Sequence, residues 1–62
     1  MAIAIGASDM DLIHDAVEKV LLKVASGDLD PGNGMTAIVG WIDLAAMDND
    51  QFLVEIRKAA TA

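Results

Sequence analysis

The groups able to do chemistry in this chain are ten carboxylates, eight of them aspartate, one imidazole and a few hydroxyls; there is no cysteine. Asp28, Asp30 and Asn33 come closest to a ligand pattern, because they supply hard oxygen donors of the kind calcium takes. A calcium loop starting at Asp28 would need an oxygen ligand at 32, a glycine at 33 and a bidentate glutamate at 39. The chain has Gly32, Asn33 and Val39 there. These residues therefore read as a polar turn with helix caps, and no metal ligand and no cofactor is assigned. His14 is the single histidine. Structural zinc sites draw on several Cys or His ligands, and one imidazole does not supply them. Asp11 and Asp15 lie near His14, but only Ser8 among the hydroxyls does, so no nucleophile with an oriented base can be assembled. No catalytic residue and no small-molecule substrate is assigned, and the chain is read as non-enzymatic.

The stretch IGASDMDLIHDAV resembles the phosphopantetheine attachment region of acyl carrier proteins, a family of small acidic helical bundles with Asp-Ser-Leu at a helix start. Here the order is Ser8-Asp9-Met10, with Asp and Ser exchanged, so an attachment serine is not carried over to Ser8.

The elements that must hold these residues follow from apolar spacing. The whole reads as one all-α domain, a small three-helix bundle with helices over 9–26, 35–47 and 49–60. Residues 1–7, MAIAIGA, form an apolar N-terminal arm in which Ile3 and Ile5 alternate with alanine. Ser8 or Asp9 caps the first helix, and Gly27 ends it. Met10, Ile13, Val17, Val20, Leu21 and Val24 make its core stripe at i, i+3, i+4 spacing, leaving Leu12 and Leu22 off the stripe. Residues 27–34, GDLDPGNG, read as a loop, with Asn33 or Thr36 capping the next helix. That helix, MTAIVGWIDLAAM, is apolar almost all round and so needs cover from several sides. Its polar strip carries Thr36, Gly40 and Asp43, and the physical use of Gly40 is close approach of another backbone. Asp48 and Gln51 have capping-box spacing, and Met47 and Phe52 the spacing of a hydrophobic staple. Phe52, Leu53, Ile56, Ala59 and Ala60 form the core side of the last helix, and Val54 lies off it.

Composition bounds the partners. The 62 residues are 55% hydrophobic, and the net charge is −6. A chain of this size buries only about 60% of its unfolded surface, so surplus apolar surface points to association. Lys19, Lys23, Arg57 and Lys58 are the only bases, too few for the basic face that nucleic acid requires. The same acidity opposes anionic lipid, and no apolar run approaches the roughly 20 residues of a membrane span. The N-terminus lacks the basic flank and core length of a signal peptide. The expectation is a cytoplasmic protein, or one within an assembled particle, that binds neither nucleic acid nor membrane. Two helices cover only part of the middle one, so the bundle is expected to be completed by oligomerisation or by docking on a partner. Ile3, Ile5, Leu12, Leu22, Val39, Trp41, Asp43 and Val54 are the candidate interface residues. The function expected is that of a structural or interaction protein that self-associates or serves as an accessory subunit, for example of a virion. The alternative is an acidic inhibitor or regulator seated on a basic site of an enzyme or a nucleic-acid-binding protein.

Overall fold

The computed structural model describes residues 5–61, which form α1 (Ala7–Ser26), α2 (Pro31–Ala46) and α3 (Gln51–Thr61), with no strand among them. Ile3 and the greater part of the expected N-terminal arm lie outside the described residues. Ile5 is exposed, and Ala7 already belongs to α1.

Each helix boundary has a local cause, and several differ from the sequence expectation. α1 starts at Ala7 because Gly6, not Ser8 or Asp9, is its extended N-cap. Asp9 stands three places inside, and its carboxylate accepts the Gly6 N–H at 3.0 Å. Gly6 has no side chain to return the bond, so only half of a capping box exists. At the other end Gly27 adopts φ +85. Its N–H donates to the Val24 carbonyl, and the Asp28 N–H donates to that of Lys23, the paired bonds of a Schellman cap.

The expected loop 27–34 shrinks to four residues, and α2 begins at Pro31 rather than Met35. Asp30 is extended and is the N-cap; its carboxylate accepts the Gly32 N–H at 2.9 Å. Proline fits the first helical position because its missing N–H would have no partner there. Asn33 and Thr36 are thus inside the helix. The Thr36 hydroxyl donates to the Gly32 carbonyl at 2.9 Å. Reading proline and glycine as breakers missed that a helix start tolerates both.

α2 ends in a second Schellman cap, with Asp48 N–H to the Ala45 carbonyl and Asn49 N–H to that of Leu44. Asp48 supplies the left-handed residue, at φ +53, and so is not the N-cap of α3. Asn49 organises that start instead: its side-chain oxygen accepts the Gln51 N–H at 2.9 Å, and its carbonyl accepts the Phe52 N–H, an Asx turn. Met47 remains 66% exposed while Phe52 is in the core, so the expected staple does not form.

The core joins α1 to α3. Ala16 (0% exposed), Ile56 (1%) and Phe52 form its centre, and Leu12, Ile13, Trp41, Leu44, Ala45, Leu53, Ala59 and Ala60 pack around them. Ala16 is the α1 member of this centre, facing Phe52 and Ile56 of α3. This rotates α1 from its expected orientation: Val20 is buried and Ile13 packs on the core, as the stripe predicts, but the stripe's other edge turns outward. Leu12 packs on the core, whereas Met10 and Leu21 are more than half exposed. The apolar arc of α1 covers about half its circumference, wider than one neighbour needs, and α3 takes the edge carrying Ala16. Nor is α2 the centre of the bundle. It flanks the α1–α3 pair, and the Trp41 expected in its uncovered part packs instead on the core cluster.

Candidate docking face

Two contacts position α2 and decide which of its residues are left outside. Near its start Gly34 is buried against α1; a Cβ there would lie 2.9 Å from Val24 Cγ2 and 3.3 Å from Val20 Cγ1. Two turns later Trp41, Leu44 and Ala45 reach the Ala16–Phe52–Ile56 cluster. With those residues turned inward, Met35, Val39 and Ile42 point outward and are exposed. Their spacing of i, i+4, i+7 puts them on one stripe.

α1 presents a matching stripe. Met10, Val17, Leu21 and Leu22 line an open trough along its outer side, together with His14 and Glu18. Every residue lining that trough belongs to α1, so it is an exposed helix face and not a cavity. A groove of about 270 Å³ runs between α1 and α2, lined by Val20, Leu21, Val24, Pro31, Gly34, Met35 and Ile38. Leu21 is shared by trough and groove, and Ile38 lies one turn before Ile42. The two stripes therefore make one continuous apolar face over α1 and α2. Leu21 is 57% exposed and Ile42 59%. Monomeric proteins rarely leave contiguous apolar patches beyond a few hundred Å², and six large side chains (Met10, Leu21, Leu22, Met35, Val39, Ile42) at this exposure reach that range.

Of the residues singled out from sequence, Leu22 and Val39 belong to this face. Asp43 is exposed at its edge, four residues on from Val39. Val54, on α3, is exposed but lines neither depression, and Ile5 is exposed at the chain start. Leu12 and Trp41 pack within the protomer. The sequence reading missed Met10, Val17, Leu21, Met35 and Ile42 as outward residues. The signal available for them was the excess width of the apolar arc on α1.

The charged groups near the face are local in their bonding. His14 Nδ1 lies 3.8 Å from Asp15 Oδ1, with both side chains largely exposed. Asp30 is engaged as a cap, and Asp28 accepts from the Ser26 hydroxyl at 3.1 Å. Among the described residues no three His, Cys, Asp or Glu side chains gather as a metal site would require. No helix among them is long and apolar enough to cross a membrane. Comparison with known protein families, with curated proteins and with solved structures gives no significant match to this chain.

Proposed function

We propose that this chain is a non-enzymatic interaction protein whose α1/α2 face seats a protein partner, as an accessory subunit or building block of a larger assembly. Such a component belongs in the cytoplasm or within an assembled particle, a virion being one example. The observation that carries this reading is the continuous apolar face from Met10 through Leu21 to Ile42. Covering it would add burial at about 25 cal/mol per Å² to a chain whose own core is small. A second reading, an acidic inhibitor or regulator, is favoured by one feature: carboxylates border this face. Charge-driven association weakens steeply with ionic strength, while an apolar contact tolerates it.

The test is absolute mass by light scattering behind a sizing column, at low and high salt, with Nile red fluorescence on the same samples. The wild type should be a discrete multimer, or a monomer that binds the dye. In either case Leu21→Lys/Ile42→Lys should abolish the signal while the circular dichroism stays helical. A wild-type monomer that does not bind the dye overturns the reading, as does a double variant indistinguishable from wild type.

A further inference from the structure

We propose that the occupant of the α1/α2 face is a basic amphipathic helix of another protein, an inference that rests on the docking-face reading above. The α1 stripe from Met10 to Ala25 extends about 22 Å at 1.5 Å per residue, and the groove beside it is bounded by two helices. A linear apolar stripe of that length, with a two-helix groove along one side, suits the i, i+3, i+4, i+7 anchors of a helix packed against it.

Asp11, Asp15 and Glu18 follow one another at i, i+4 and i+7 on the outer side of the α1 stripe, in a row that Leu22 continues. Glu18 lines the trough, and Asp15 stands against His14, which also lines it. The two lysines of α1, at 19 and 23, lie on the Ala16 side of that row. On the opposite margin Asp43 is exposed one turn beyond Val39. Both long edges of the apolar face therefore carry carboxylates, and a partner with lysine or arginine flanking its apolar stripe complements them. A second copy of this chain does not. A two-fold contact sets the same patch against itself, which would bring the acidic row toward an acidic row and join two chains of −6 each; like-charge juxtaposition across an interface is costly. Met10 and Met35 are exposed on the face, and methionine's flexible thioether conforms to apolar side chains of varied shape.

The experiment uses the full chain and two synthetic amphipathic helices of about five turns. Both carry leucines at the same positions; one has a lysine polar face and the other a glutamate polar face. Calorimetric titration should show binding of the lysine peptide alone, falling steeply as salt is raised. Asp11→Asn/Asp15→Asn/Glu18→Gln should weaken it about tenfold, as three exposed ion pairs would. The control Asp28→Asn/Asp50→Asn/Glu55→Gln removes the same charge elsewhere and should weaken it markedly less. Leu21→Ser, with the acidic row intact, should also lose binding. Equal binding of the two peptides, equal loss in the two triple variants, salt-independent binding of the lysine peptide, or no binding of either overturns the inference. So does a wild-type dimer that Leu21→Ser dissolves, because a second copy would then occupy the face. The docking-face reading is judged separately by the dye and mass measurements, and it survives all of these outcomes if Leu21→Lys/Ile42→Lys removes the signal there. The salt series needs no substitution, so it stands even if the triple variant loses helicity.

Discussion

At the scale of single residues, the small core makes a few positions decisive. Ile56 is 1% exposed between α1 and α3. Truncating it to alanine removes buried methylenes and leaves a cavity, at a cost of about 2–5 kcal/mol. A 62-residue domain has on the order of 3–9 kcal/mol of total stability at the usual 0.05–0.15 kcal/mol per residue. Urea titration of Ile56→Ala should accordingly show a midpoint far below wild type, or no folded baseline. Two glycines in α2 should then respond in opposite directions. Gly34→Ala places a Cβ 2.9 Å from a branched, short Val24 side chain, which has little freedom to retreat, so the variant should melt lower despite alanine's better helix propensity. Gly40→Ala meets nothing within 4 Å and should stabilise the isolated protomer by up to about 1 kcal/mol. The sequence expectation that Gly40 admits another backbone finds no such neighbour inside the protomer. If Gly40→Ala raises the melting temperature yet weakens assembly, that neighbour belongs to the partner.

At the scale of elements, the caps and the rotation of α1 carry the consequences. Asp30→Ala removes the acceptor for the Gly32 N–H and should cost about 0.5–2 kcal/mol, read as a lower thermal midpoint. Gly27→Ala forces a Cβ into the left-handed region at φ +85 and should cost about 1–2 kcal/mol. The orientation of α1 separates two leucines that look alike in the sequence. Leu12→Lys drives a charge toward the Ala16–Phe52–Ile56 cluster and should unfold the protomer, seen as lost ellipticity. Leu21→Lys, on the open trough, should leave ellipticity intact and abolish association. Helix existence and order were legible in the sequence, as was the end of α1 at Gly27. The start of α2 was not, because Asp30-Pro31-Gly32 reads as a break until the Asp30 carboxylate is seen holding the Gly32 N–H. The start of α3 was misread for a related reason. Asp48 and Asn49 are both plausible caps by type, and only backbone conformation shows that the first closes α2 while the second opens α3.

At the scale of the whole molecule, four apolar residues (Ala16, Val20, Phe52 and Ile56) are buried among those described, while a full helix-pair face stays open. Composition alone determined several things. A 55% hydrophobic chain with net charge −6 and no cysteine, with two apolar-periodic segments flanking one that is apolar almost all round, is an all-α bundle with more apolar surface than three short helices hide. Those conclusions depend on sums and periodicities, which do not require knowing which helix meets which. The tertiary structure decided the rest. An apolar arc spanning half of α1 is compatible with several rotations, and periodicity favours its richest side as the core. Close packing shifted that choice toward one edge, because the small Ala16 is fully buried beside Phe52 and Ile56 of α3, a place that a side chain as large as Leu21 or Met10 would overfill. That choice packed Leu12 on the core, drew Trp41 inward through α2, and turned Met10, Leu21, Met35 and Ile42 out beside the carboxylates of Asp11, Asp15, Glu18 and Asp43. The exposed apolar face is a property of how the helices are rotated against one another, and rotation is set by side-chain size at the contacts, which no one-dimensional pattern records.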